Sequence, residues 1–272
     1  MLRQSLDALA RFSPRFRRVM MRTWYEALVV IDRQKQITFM NYGYVDLDST
    51  KDGLILAAED EPNRYSIQMY HHVAGAIDLR DKDVVEIGSG RGGGADYVRR
   101  TFNPKSMRGI DISSNAVDFC NQHYANDGLS FSQGDAENIP LADESIDAVI
   151  NVESSHCYGS MPKFLSEVYR VLRPGGYFLF ADHRDHDKMD LLRQQLHDGG
   201  FTIAAETDIT ANVVAALRLD DDRKRDLIRN SCPRYLQKEA GEFAAMAGTR
   251  TFDSFASRES LYLSFTIQKK TA

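Results

Sequence analysis

Four short apolar runs, each ending in polar residues, recur through the middle of the chain: DKDVVEIG (81–88), SMRGIDIS (106–113), IDAVINVES (146–154) and GGYFLFADH (175–183). Continuous apolar stretches of this length, bounded by turn residues, predict buried parallel strands. Between them, apolar positions return at the three- and four-residue spacing of helices over 94–102, 115–126 and 161–176, the last closed by Pro174-Gly175-Gly176. Strand and helix alternation sustained over about a hundred residues predicts an α/β, doubly wound, Rossmann-like sheet. In such sheets ligands bind beyond the carboxyl ends of the strands, so the polar strand ends are expected to line one site.

Two further apolar runs, 200–209 and 260–269, read as the sixth and last strands. Residues 208–258 form an insertion between them, too long for a hairpin and read as a helical lid. Within it, LRLDDDRKRDLIRN reads as a solvated charged face, whereas 239–248 (EAGEFAAMAG) is small and apolar enough to line a pocket for a greasy acceptor. Ahead of the first strand, Tyr42, Tyr44, Tyr65 and Tyr70 offer aromatic surface for a cover over the site, with core packing as the alternative for each. The expected organisation is a helical and aromatic cover over 1–80 and a ligand-binding domain over 81–272.

Composition narrows the partners. At 272 residues, 43% hydrophobic and 27% charged, the chain is that of an ordinary globular protein. Its net charge of -5 supplies no electrostatic footprint for nucleic acid. Cys120, Cys157 and Cys232 are far apart with no CxxC spacing, so neither a zinc site nor a disulfide framework is expected, and a reducing, cytoplasmic location fits. No apolar run reaches the roughly 18 residues of a membrane span. The first 25 residues run against the overall charge, with six arginines to one acid along a helical apolar stripe. A terminal helix packed on the domain is the first reading, and peripheral membrane contact through residues 1–22 is the alternative.

The candidate chemistry begins at VVEIGSGRGGG (84–94), five glycines after an apolar run with one acid, Glu86, just ahead of them. Gly88-Ser89-Gly90-Arg91-Gly92-Gly93 satisfies the dinucleotide fingerprint, in which glycines let the backbone approach a pyrophosphate. An acid beside a pyrophosphate is unfavourable, whereas the methionyl ammonium of S-adenosylmethionine is suited to one. Asp111, at the end of the second strand, suits the ribose hydroxyls of either ligand. Asp135, in QGDAENIP (133–140), is placed to accept from an adenine amino group.

This series, with NVESSHCY (151–158) and RVLRPGGYFLFAD (170–182), resembles the class I S-adenosylmethionine-dependent methyltransferases across roughly residues 80 to 185. Together with EDEPNRYSIQMYHHVA (59–74) and EVYRVLRPGGYF, it is similar to the phthiotriol and phenolphthiotriol dimycocerosate methyltransferases, which O-methylate a hydroxyl of a long-chain lipid. The family's more usual acid-x-Cys-Gly start is here Glu86-Ile87-Gly88. The resemblance implies a seven-stranded methyltransferase sheet and S-adenosylmethionine as cofactor. Glu86, Gly88, Gly90, Asp111, Ile112, Asp135, Ala136 and Asn151 form the expected cofactor-binding set.

Methylating an alcohol needs an aligned nucleophile and removal of its proton. His156, in the loop after the fourth strand, is the expected base, with a structural imidazole as the competing reading, and Glu153 is expected to orient it or to shape the pocket. Tyr42, Tyr70 and His183 are the expected substrate contacts. DHRDHD (182–187) reads as a cap and solvated turn rather than a metal site, and no metal is expected. The leading function is O-methylation of a hydroxyl on a lipid, polyketide or similar apolar small molecule. C-methylation of a quinone- or sterol-like acceptor and a non-transferring cofactor-binding scaffold are the alternatives. Nothing in the sequence marks an oligomeric state.

Overall fold

The computed structural model describes residues 37–48, 50, 53–124 and 127–271. The basic N-terminal stripe of residues 1–22 lies outside the described residues. Seven strands form one sheet: β1 (Asp83–Ile87), β2 (Ser106–Asp111), β3 (Leu129–Gln133), β4 (Ile146–Val152), β5 (Leu172–Asp185), β6 (Phe201–Asp208) and β7 (Ser260–Lys269). Their order across the sheet is β3-β2-β1-β4-β5-β7-β6. β1 pairs in parallel with both β2 and β4, and β7 runs antiparallel between β5 and β6. The chain winds one way from β1 to β3 and the other way from β4 onward, which opens a crevice at the carboxyl ends of β1 and β4.

Both sheet faces are covered, as the uninterrupted apolar strands require. On one face α1 (Arg64–Ala74) and α2 (Gly93–Phe102) bury Ile67, Met69, Val73 and Val98. On the other, α4 (Met161–Val171) and α5 (Met189–Asp198) bury Phe164, Leu165, Leu192 and Leu196 against Phe178 and Phe180 of β5. Each such side chain contributes about 1.5–3 kcal/mol by leaving water. Helix starts follow the expected chemistry. The Ser113 hydroxyl accepts from the Ala116 N–H at 3.3 Å to open α3 (Ser114–His123), and the Ser160 hydroxyl accepts from the Lys163 N–H at 3.3 Å to open α4.

Two boundaries differ from the sequence pattern. The helix expected over 161–176 stops at Val171, and β5 begins at once, with Leu172 opposite Ile146 and a register shift before Ala148. At its far end β5 does not turn at Asp182. Its antiparallel ladder with β7 continues through Asp182 opposite Leu263 to Asp185 opposite Ser260, so the first four residues of the expected solvated turn are strand. The insertion is helical as expected: α6 (Thr210–Leu219), α7 (Asp221–Ser231), α8 (Gln237–Phe243) and α9 (Arg250–Ala256).

Candidate active site

Beyond β1 the chain makes a tight turn in which Gly88, Gly90 and Gly92 take φ of 76°, 51° and 79°, the left-handed region that glycine enters without steric cost. Asp111, at the tip of β2, fixes this turn: one carboxylate oxygen accepts the Gly90 N–H at 2.8 Å and the other the Ser113 N–H at 2.9 Å. Burial raises the Asp111 carboxyl above its ordinary value, against those backbone hydrogen bonds. Gly94, in the first turn of α2, is needed for space, since a Cβ there would lie 2.0 Å from the Tyr70 ring. That close approach lets the Tyr70 hydroxyl donate to Glu86 Oε1 at 2.6 Å. Glu86 is completely buried, its Oε2 has no hydrogen-bond partner, and burial pushes its carboxyl up to about 8.

The crevice between these elements is lined by Gly88, Gly90, Asp111 and Ile112 on one side and by Asp135, Ala136 and Glu153 on the other. Asp135 Oδ1 accepts the Glu137 N–H at 2.9 Å, which holds the loop that carries it. Two members of the expected set stand behind the wall. Glu86 acts there through Tyr70, and Asn151 Nδ2 donates to Ile87 O at 2.8 Å, Ser154 Oγ at 2.8 Å and the Tyr158 hydroxyl at 3.0 Å. Tyr70, expected at the substrate, lines this crevice. So do Met40 and Asn41 from the segment before α1, which no motif marked. The glycine turn, the strand-end carboxylate and the buried acid suit a ligand that carries a ribose and an ammonium group.

A second cluster adjoins the crevice at the ends of β4 and β5. Glu153 sits at φ 51°, and its Oε2 accepts the Tyr42 N–H at 2.8 Å and the Tyr262 hydroxyl at 3.0 Å. Burial pushes this carboxyl also up to about 8, so it is mostly protonated at neutral pH. Among the described residues, the hydrogen bonds of the Glu153 carboxyl go to Tyr42 and Tyr262 and not to His156. The orienting carboxylate is instead Asp182, which sequence reasoning missed: its Oδ1 lies 2.8 Å from His156 Nδ1 and its Oδ2 accepts the His156 N–H at 2.9 Å.

Asp182 is itself fully buried and held by the Ser155 hydroxyl at 2.6 Å and by the Arg184 guanidinium at 3.2 Å. Burial opposes its charge, but Arg184 and His156 hold the carboxyl well below its usual range. Burial likewise opposes the charge of His156, and the Cys157 sulfur and Asp182 reverse this, leaving the imidazole well above its ordinary value. His183 packs 4.4 Å from the His156 ring, centroid to centroid, and burial with neighbouring His156 pulls it down to about 3. Tyr42 and Phe255 of α9 close over it, with ring centroids 5.6 and 5.3 Å away.

Residues 85–180 match the family model described as a methyltransferase domain. A phthiotriol/phenolphthiotriol dimycocerosates methyltransferase of Mycobacterium tuberculosis is 39% identical over 246 residues, 90% of this chain and 90% of that protein. A fatty-acid O-methyltransferase of Mycolicibacterium smegmatis is 40% identical over 205 residues, 75% of this chain and 74% of that one. Among solved structures, the cyclase SpnF superposes with a TM-score of 0.67 at 18% identity, covering 91% of this chain and 93% of its own, a likeness of fold alone. With a relative 39% identical across nine-tenths of both chains, the chain belongs to the phthiotriol/phenolphthiotriol dimycocerosates methyltransferase family and is an S-adenosylmethionine-dependent methyltransferase.

Proposed function

We propose that the chain methylates a hydroxyl group on a lipid, polyketide or similar apolar small molecule. The observation that carries this reading is the His156–Asp182 pair, 2.8 Å apart and partly buried beside the cofactor crevice. When bound, S-adenosylmethionine supplies a methyl group already activated on a sulfonium. Asp111 would accept the ribose hydroxyls and Asp135 the adenine amino group, while the Gly88–Gly90 turn would face the methionyl end with Glu86 behind it, acting through Tyr70.

What remains for the protein is proton removal and alignment. Asp182 holds the Nδ1 side of His156 and favours its charged form, so the base is the neutral imidazole reached as pH rises through its raised value, with the other ring nitrogen free to take the acceptor's proton. The positive charge that then forms on the imidazole is stabilised by the Asp182 carboxylate. Glu153, which lines the crevice, acts as a positioning residue: its largely protonated carboxyl ties Tyr42 to Tyr262, which pack with Phe255 in the core behind it. The relatives named for lipid and fatty-acid methylation support this substrate class.

The direct experiment offers the enzyme lipid and polyketide extracts with isotopically labelled cofactor. A mass gain of one methyl is expected, with the labelled carbon at the NMR shift of a methyl ether or ester. A label attached to carbon would replace this reading with C-methylation, and a cofactor consumed without product would overturn transfer to this class. Among the described residues no helix is long and apolar enough to cross a membrane. If the basic stripe meets a membrane that holds the acceptor, the protein co-sediments with anionic vesicles and loses that binding on deletion of residues 1–22.

A further inference from the structure

We propose that His156, Asp182 and His183 form a binding site for a first-row divalent transition metal of the zinc type, and that occupancy switches off the base. The ligand atoms of the three side chains all lie within 4.8 Å of one another. Adjacent strand residues normally point to opposite sheet faces. Here the Asp182 carboxyl folds back to accept its neighbour's N–H at 2.8 Å, which brings Oδ1 round to the imidazoles.

The two carboxylate oxygens are divided. Oδ2 takes Ser155 and Arg184, so the guanidinium is bound away from the oxygen that faces the histidines. His183 Nε2 is buried without a hydrogen-bond partner, a cost that a metal ion would relieve. Two imidazoles and one carboxylate select zinc or cobalt over magnesium, and positions beyond the three ligands stay open for water. Oδ1 now lies at hydrogen-bond distance from His156 Nδ1, and a bound metal would replace the proton between them. With the metal on Nδ1 the displaced proton moves to the other ring nitrogen, the one that would take the acceptor's proton, so a filled site cannot serve as a base. The inhibitory half of this inference rests on the proposed role of His156, and the binding half does not.

The test titrates the full-length, metal-free enzyme with cobalt(II) and reads its visible absorption, then displaces it with zinc. A saturable one-to-one spectrum is expected, at least ~10-fold weaker in His183→Ala and in Asp182→Asn. His183→Gln, which keeps bulk but not the ligand geometry, supplies the same readout if the alanine variant does not fold. Methyl transfer by the wild type is expected to fall as zinc fills the site and to return with EDTA. No saturable spectrum, or one that persists in both His183→Gln and Asp182→Asn, overturns the site. A saturating spectrum without inhibition overturns the switch and leaves the site, and the product experiment above decides the acceptor separately.

Discussion

The crevice proposed to hold the cofactor and the His156–Asp182 cluster beside it, proposed to face the acceptor, are built on different principles. The first is assembled over short and middling separations: Asp111 bonds the N–H groups of Ser113, two residues on, and of Gly90, 21 residues back, and Asp135 that of Glu137. The second is assembled from afar, with Tyr42, Glu153 and Tyr262 joined through one carboxylate oxygen and His156 tied to Asp182 on the next strand. Each end nonetheless contains one buried carboxyl pushed up to about 8, Glu86 in the first and Glu153 in the second. In the first that carboxyl stands behind a ligand site, and in the second it fastens distant segments together. The crevice turn is thus set by two adjacent strand ends, while the second cluster depends on segments more than a hundred residues apart.

If the two ends divide binding from chemistry, His156→Gln has the largest effect. Turnover is expected to fall roughly 100-fold or more while the cofactor dissociation constant hardly moves, because a base acts in the transition state. Equal losses in both quantities, by kinetics and calorimetry, would erase the division. Asp111→Ala is the reciprocal case: loss of a strand-end carboxylate should weaken cofactor binding by roughly 10-fold, with turnover at saturating cofactor less affected.

The two carboxyls can also be compared through their tyrosines. Tyr70→Phe leaves Glu86 Oε1 without its tyrosine donor beside an already unpartnered Oε2, whereas Tyr262→Phe leaves Glu153 its Tyr42 N–H. Urea denaturation should show a loss of about 1–3 kcal/mol for the first and about 1 kcal/mol for the second. The reverse order would mean that the acceptor end carries more of the stability.

The smallest effect separates the same pair by pH. Glu86 is mostly protonated at neutral pH, and a methionyl ammonium brought nearby lowers its pKa. Cofactor binding should therefore release a fraction of a proton, and affinity should rise with pH as Glu86 ionises toward about 8, by less than about tenfold. Calorimetry in buffers of different ionisation enthalpy reads this directly. Release should vanish in Glu86→Gln and persist in Glu153→Gln; loss in Glu153→Gln alone would move the ammonium to the other end.

The same contrast explains what could be read in the chain beforehand. Gly88, Gly90 and Asp111 carry their roles in local form, a positive φ or a strand end, and strand periodicity places them. Asp182 reads as part of a solvated turn because nothing near it shows that β5 continues, and the evidence for that is its ladder with β7, which the sequence places many residues later. Tyr262 and Phe255 read only as apolar positions in a strand and a helix, since partners across the fold leave no spacing signal. The place of His156 after the fourth strand was legible, but its contact with Asp182, from the far end of β5, was not.

The antiparallel seat of β7 also sets an order of completion during synthesis. The Tyr262 N–H donates to Thr210 Oγ1 at 2.9 Å and its carbonyl accepts the Ile209 N–H at 2.9 Å, so the same residue that reaches Glu153 anchors the start of the helical lid. Chains emerge from the ribosome amino end first. The glycine turn and the Asp111 that braces it are therefore translated long before Tyr262, and a nascent chain would hold that turn before the fastening of Glu153 to Tyr262 has been made.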